Sequence, residues 1–228
     1  MRVLTIETST VHETVGVVID DRVASTRSSQ AGRERGVEFL DLVLDALQTA
    51  HLGTANVDLI GVSAGPGRFT GLRVGMATAK GLATGAGCGV APVETLHALA
   101  TASGRDGLVA PLIDARRGEV YAALFDGGRR LSDDIACAPA ELPEALPTSG
   151  RAVALVGGGA VAYRDELERA FGSGMLIDIA APATPDPLTI ARMAEASPRV
   201  PLESIEPVYI RGVGATKPPA RGPVERKR

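Results

Sequence analysis

The chain opens with three short apolar runs bounded by polar turn residues, at 2–6, 14–20 and 22–26, which predict three β-strands. Asp20-Asp21 gives a tight polar turn between the second and third. The period then changes to that of a helix over 34–50. Val37, Leu40, Leu44 and Leu47 form one apolar stripe, and Phe39, Val43, Ala46 and Ala50 a second, against a polar stripe of Glu38, Asp41, Asp45 and Gln48. A helix lying on a core shows one apolar face about 100° wide. Two stripes imply burial on two sides, against the core and against either another helix or a partner.

A strand at 57–63, a small-residue helix at 74–84, a strand at 89–93 and a helix at 94–102 complete a first half. The pattern then restarts. Strands are predicted at 108–114, 119–126, 129–136 and 152–156, followed by Gly157-Gly158-Gly159, a helix at 161–171 and a Pro-interrupted stretch at 181–201. Both halves begin with an apolar strand ending in a carboxylate (Glu7, Asp114), then a polar turn, then a strand ending in Asp (Asp20, Asp126). We read this as an internal duplication. The predicted fold class is α/β, a two-lobe actin-like or sugar-kinase-type architecture of duplicated βββαβαβα units with a reduced second lobe. A linker at 103–107 divides an N-terminal lobe (1–103) from a smaller C-terminal lobe (104–211), and a basic tail (212–228) follows.

Composition narrows the class. Of 228 residues, 45% are apolar and 22% charged, as in a globular protein with a real core. Lys80 interrupts the longest apolar candidate for a membrane span, and the first residues run straight into a strand without a signal-peptide layout. Cys88 and Cys137 stand in no Cys-x-x-Cys pair, so a reduced, cytoplasmic protein away from membranes is expected. Residues 211–228 carry six Lys or Arg against one acid, so of the net −3 the tail holds +5 and the rest of the chain −8. An acidic body with seven aromatics and no Trp predicts no base-stacking platform and no tight nucleic-acid binding by the chain alone.

The stretch most open to chemistry is Gly65-Pro66-Gly67-Arg68-Phe69-Thr70-Gly71-Leu72-Arg73, a glycine turn between strand and helix. Such a turn can cradle an anion on free backbone N–H groups, or bring a helix very close to a sheet. An ATP-dependent enzyme of the actin-like class would use Glu7 and Asp114, with the first strand pair clasping phosphates. The loop after Glu7 has no glycine before Gly16 to admit a phosphate, and no Gly-x-x-x-x-Gly-Lys-Ser/Thr or Gly-x-Ser-x-Gly stretch occurs. His12, His51 and His97 have no metal-ligand spacing. No catalytic, cofactor-binding or metal-binding residue is therefore expected, and a scaffold is the preferred reading. Gly71 and Gly75, then Gly81 and Gly85, are each four apart; since glycine costs a helix up to about 1 kcal/mol per position, close backbone packing should account for them. Arg73 and Lys80 share one face and should point outward.

At these residues the chain resembles the TsaB (YeaZ) family, the non-catalytic subunit of the bacterial tRNA threonylcarbamoyladenosine machinery. The resemblance rests on Ile6-Glu7-Thr8-Ser9-Thr10, the Gly65 to Arg73 motif, Lys80-Gly81-Leu82-Ala83, Ile113-Asp114-Ala115-Arg116-Arg117-Gly118-Glu119-Val120-Tyr121 and Glu206-Pro207-Val208-Tyr209-Ile210-Arg211. It implies a dimerisation platform without a transferase centre. That platform pairs with the catalytic paralogue TsaD, acts with the ATPase TsaE in threonylcarbamoyl transfer to adenosine 37 of tRNAs reading ANN codons, and self-associates when alone. The metal-binding histidine pair behind TsaD's glycoprotease (peptidase M22) label has no counterpart here. The family's pairing helices map onto 34–50 and 69–84, which implies an interface of Phe39, Leu40, Val43, Leu47, Phe69, Leu72, Arg73, Met76, Ala79 and Lys80. Val43→Asp or Met76→Asp should then abolish pairing and leave the monomer folded. Three departures from the family pattern stand out: Glu7 where Asp is usual, Arg68 where Ser is usual, and Arg33-Glu34-Arg35-Gly36 where a histidine often starts the helix.

Overall fold

The computed structural model describes residues 1–30, 39–172, 175–177 and 181–210. The predicted start of the first helix (34–38, with Val37 and Glu38), the Arg33 to Gly36 departure and the tail 212–228 lie outside the described residues. The strands are β1 (Arg2–Glu7), β2 (His12–Ile19), β3 (Arg22–Gln30), β4 (Leu59–Gly65), β5 (Gly89–Glu94), β6 (Leu108–Arg116), β7 (Glu119–Ala122), β8 (Phe125–Asp126), β9 (Arg129–Arg130), β10 (Ile135–Cys137), β11 (Val153–Val156) and β12 (Met175–Ile177). The helices are α1 (Phe39–Thr49), α2 (Phe69–Ala86), α3 (Thr95–Ala102), α4 (Leu142–Ala145), α5 (Gly158–Ala162), α6 (Arg164–Phe171) and α7 (Pro187–Ala196).

The duplication is visible in the strand orders, β3-β2-β1-β4-β5 in one sheet and β10-β7-β6-β11-β12 in the other. Each begins with an antiparallel hairpin and adds a third antiparallel strand outside it. Two parallel strands continue on the other side. Asp20 and Asp21 both have positive φ and close the β2–β3 hairpin as a type I′ turn, as their position predicts. In its outer strands the second lobe departs from the sequence expectation: the run 119–126 breaks into β7 and β8, and 129–136 into β9 and β10. The cause is local. The Leu124 N–H donates to Ser132 Oγ (2.9 Å) and its carbonyl accepts from Leu131 N–H (2.7 Å), which takes that residue out of the β6 ladder.

The first sheet is covered on both faces. α1 and α2 lay Leu42, Val43, Ala46, Leu47, Met76, Ala79 and Ala83 over Leu4, Ile6, Val15 and Val17. On the other face Val3, Val18, Leu59 and Ala91 meet Ala98 of α3 and Ile190, Ala191 and Ala194 of α7. α3 also turns Leu96 and Leu99 toward Val109, Ile113 and Phe125 of the second lobe, so it is a wall shared by both sheets. The Pro-interrupted stretch hides a helix: Asp186 caps α7 by accepting from Thr189 N–H (3.0 Å), and Pro187 occupies the first helical position, where its missing donor costs nothing. The chain then returns along the first lobe. Ile205 is buried in its core, and Val208 N–H donates to the Ala64 carbonyl at 2.7 Å.

Candidate functional site

The end of β1 is the centre of the first motif. Glu7 is buried, and both its carboxylate oxygens are taken. Oε1 accepts from the backbone N–H of Ser9 (2.8 Å) and Thr10 (3.1 Å) and from the Ser9 hydroxyl, and Oε2 accepts from the Ser63 hydroxyl of β4. Burial raises the Glu7 pKa and outweighs the four donors, which pull it down. Over this loop lies the start of α2. A Cβ on Gly67 would stand 2.4 Å from the Ser9 carbonyl, and one on Gly71 1.9 Å from the Thr8 carbonyl. On Gly75 it would stand 2.2 Å from Thr8 Oγ1. The glycine turn is therefore a device for seating a helix on a strand-end loop. Gly81 and Gly85, in contrast, meet nothing within 4 Å, so packing inside the chain does not account for them. Gly157 and Gly159 also serve packing: a Cβ on either would meet the Leu112 carbonyl oxygen of β6, at 2.7 Å and 2.9 Å.

Asp114 shapes the corresponding loop of the second lobe. Its Oδ1 accepts from Arg116 N–H (2.8 Å) and from the Tyr163 hydroxyl (3.1 Å). Arg117-Gly118 then closes the β6–β7 hairpin with positive φ at both residues, and Arg116, also at positive φ, forms the bulge before it. This tip faces the first turn of α2 and the returning segment 208–210 across a cleft of about 590 Å³. Arg68 lines both this cleft and a smaller cavity of about 150 Å³ beneath Thr10 and Ile113, and donates to the Thr10 carbonyl (3.2 Å). Phe69, Arg73 and Tyr209 form one cluster on the cleft's edge. Arg73 stacks 4.0 Å over the Phe69 ring and donates to the Tyr209 hydroxyl (3.1 Å), and the two rings lie 5.2 Å apart. Among the described residues no group of three or more His, Cys, Asp or Glu could hold a metal. His97 instead stacks on Phe125 and bonds the Gly128 carbonyl.

The ten residues mapped as a partner interface divide into two sets. Val43, Leu47, Leu72, Met76 and Ala79 are buried inside the chain's own first core and have no surface to offer. Val43→Asp and Met76→Asp would place a charge in that core, so they test folding and not pairing. Phe69, Leu40 and Arg73 are exposed, and Phe39 and Lys80 are partly so. The exposed apolar residues on these helices include two that the mapping omitted, Leu44 (47%) and Val74 (39%), beside Leu40 (46%) and Phe69 (54%). Leu44 was legible as part of the same apolar stripe of the first helix as Leu40, since it lies four residues after it. Tyr209 was also omitted from the mapping, although it belongs to the Glu206 to Arg211 motif.

Two duplicated sheets with packed strand-end loops make this an actin-like, sugar-kinase-type fold. The chain superposes on the (R)-2-hydroxyglutaryl-CoA dehydratase component A of Acidaminococcus fermentans with a TM-score of 0.51 at 12% identity over 86% of this chain and 98% of that one, a likeness of fold alone. YeaZ from Pseudomonas aeruginosa matches far better, with a TM-score of 0.75 and 28% identity over 92% of this chain and 99% of that one. In sequence, the tRNA threonylcarbamoyladenosine biosynthesis protein TsaB of Escherichia coli is 30% identical over 95% of this chain and 97% of its own length. The TsaB of Bacillus subtilis is 28% identical over 92% and 94%. Residues 24–160 also match the family described as TsaD, tRNA N6-adenosine threonylcarbamoyltransferase. The chain belongs to the TsaB (YeaZ) family.

Proposed function

We propose that this chain is a non-catalytic subunit of the cytoplasmic machinery that makes threonylcarbamoyladenosine in tRNA, pairing with a TsaD-type transferase and, with it, recruiting a TsaE-type ATPase. Family membership supports the pathway. The observation that carries the scaffold role is the apolar surface of α1 and α2, where Leu40, Leu44, Phe69 and Val74 are 39–54% exposed while the opposite faces fill the core. A helix buried on one side and apolar on the other has a second neighbour to find. Arg73 and Lys80 border this surface along a groove closed by Ile205 and Tyr209, adding cationic rim contacts to an apolar centre. An ATPase working through Glu7 is disfavoured because both oxygens of that buried carboxylate already accept hydrogen bonds from donors of the chain itself.

The test is Leu44→Asp and Val74→Asp, singly and together, in the full chain. Both sites are exposed, so thermal midpoints should move by no more than a few degrees, while the dissociation constant for the TsaD-type partner should rise by about 100-fold or more in the double variant. Self-association should fall in parallel if the homodimer uses the same surface. Pairing of undiminished strength in a folded double variant would reject this surface as the interface.

A further inference from the structure

The smaller cavity between the lobes, about 150 Å³, has no part in the pairing surface. Val11 and Arg68 reach it from the first lobe, Ile113, Asp114 and Ala162 from the second, and Ala183 from the stretch before α7. Four of these side chains are aliphatic and two carry opposite charges. Arg68 and Asp114 nevertheless do not pair: among the described residues the ion pair of Asp114 is with Arg116, at 3.5 Å, and Arg68 forms none. Each charge is held in place by other groups. The Thr10 carbonyl accepts from Arg68 Nη1 (3.2 Å), while Asp114 Oδ1 accepts from Arg116 N–H (2.8 Å) and from the Tyr163 hydroxyl (3.1 Å). Those bonds leave the Nε–Nη2 edge of Arg68 without an acceptor and Asp114 Oδ2 without a hydrogen-bond donor among the described residues. Ala162 and Ala183 are exposed, so a small molecule can enter.

The charge pattern selects the ligand. An anion drawn to Arg68 meets Asp114 in the same small space, and a cation drawn to Asp114 meets Arg68. Only a molecule carrying both signs is favoured by both residues. The free guanidinium edge presents two parallel N–H groups, the arrangement that a carboxylate accepts with both oxygens. We propose that this cavity binds a free α-amino acid with a short aliphatic side chain. Its carboxylate lies on Arg68, its ammonium donates to Asp114 Oδ2, and its side chain packs on Val11, Ile113, Ala162 and Ala183. The size agrees: a protein cavity of about 150 Å³ takes up benzene, about six heavy atoms, and the amino acids from alanine to valine have about six to eight. Both charged groups are fixed before the ligand arrives, so little ordering opposes binding. None of the exposed apolar residues of α1 and α2 lines the cavity, and the site is independent of the proposed pairing.

The experiment is an NMR titration of the ¹⁵N-labelled full chain with L-valine as the probe, repeated with D-valine, isobutyrate and isobutylamine. Three variants are compared with the parent: Arg68→Gln, which keeps an N–H for the Thr10 carbonyl, Asp114→Asn, which keeps the Oδ1 acceptor, and Ala162→Leu, which fills the cavity and leaves both charges. L-Valine should give saturable shifts around residues 10–11, 113–114 and 158–162, with a dissociation constant of about 1 mM or tighter. Each variant should weaken it by about 10-fold or more, and so should loss of either charge from the probe. D-Valine should also bind more weakly, because its three groups cannot all reach their partners at once. Thermal midpoints establish that each variant is folded, and Arg68→Gln with Ala162→Leu carries the test if Asp114→Asn is not. Absence of saturable shifts up to about 10 mM L-valine overturns the site, as does unchanged affinity in a folded charge variant. Isobutyrate or isobutylamine binding as tightly as L-valine overturns the assignment to an amino acid.

Discussion

Glu7 is buried in the first lobe, and its stability contribution is set by that burial. A carboxyl whose folded pKa is raised keeps its proton in the native chain at a pH where the unfolded chain, near the ordinary value of 4.5, has released it. Its contribution is fully present below the unfolded value and is lost as pH rises through the folded one. Glu7→Gln removes this titration and keeps the shape of the group. The variant should therefore gain stability relative to the parent as pH rises above the unfolded value of about 4.5, whatever the fixed cost of turning an amide N–H toward one of the donors. Urea unfolding of both chains across that range measures the difference, and a difference independent of pH would mean Glu7 titrates as it does in water. Residue identities carried part of this site openly: the strand-ending acids Glu7 and Asp114 stand out in the sequence. What could not be read is that both Glu7 oxygens are engaged, because the donor to Oε2, Ser63, is 56 residues away. Nor does residue type separate Val43, fully buried, from Leu44, half exposed, since side-chain type is the same on both faces of α1.

At the scale of the element, α2 holds two kinds of glycine. Gly71 stands where any side chain would strike the Thr8 carbonyl, which is backbone and cannot swing away. Gly71→Ala should therefore lift the helix from the loop and cost about 1–3 kcal/mol or more, as overpacking does. Gly81, inside the same helix, is exposed and faces open space, so Gly81→Ala should stabilise the chain by up to about 1 kcal/mol through helix propensity alone. Opposite signs from the same substitution ten positions apart are the expected result by denaturant titration, and equal signs would show that α2 does not rest on Thr8 as described. The four-residue glycine spacing was plain in the sequence, and so was the helix. The two pairs look alike there, and only the height of each along α2, relative to a loop sixty residues earlier, decides which is constrained. α7 was hidden for a related reason: Pro187 reads as a break until Asp186 is seen to cap the helix that Pro187 begins.

The whole molecule is not two lobes strung in sequence order. Strand-ending carboxylates and hairpin spacing made the repeated sheet legible, because a hairpin is closed by residues near each other in the chain. The return of α7 and residues 205–208 to the first sheet was not legible, since it joins surfaces more than a hundred residues apart through apolar contacts of no special pattern. Its energetic weight is large. Without it Val3, Val18, Leu59 and Ala91 lose the cover of Ile190, Ala191 and Ala194, and the opposite face loses Ile205. Each large aliphatic buried there contributes about 1.5–3 kcal/mol, a sum comparable with the 5–15 kcal/mol that typically holds a domain folded. A fragment of residues 1–103 should accordingly show strand and helix by circular dichroism but bind a hydrophobic dye and unfold without a cooperative transition. In the full chain Ile205→Ala should cost about 2–5 kcal/mol despite lying near the C-terminus. A cooperative transition of the fragment at the denaturant midpoint of the full chain would mean that the first sheet holds itself together and the returning segment only rests upon it. If the fragment fails and Ile205→Ala is costly, the C-terminal return is a structural part of the lobe that carries α1 and α2, and whatever binds those helices binds a surface whose rigidity depends on the far end of the chain.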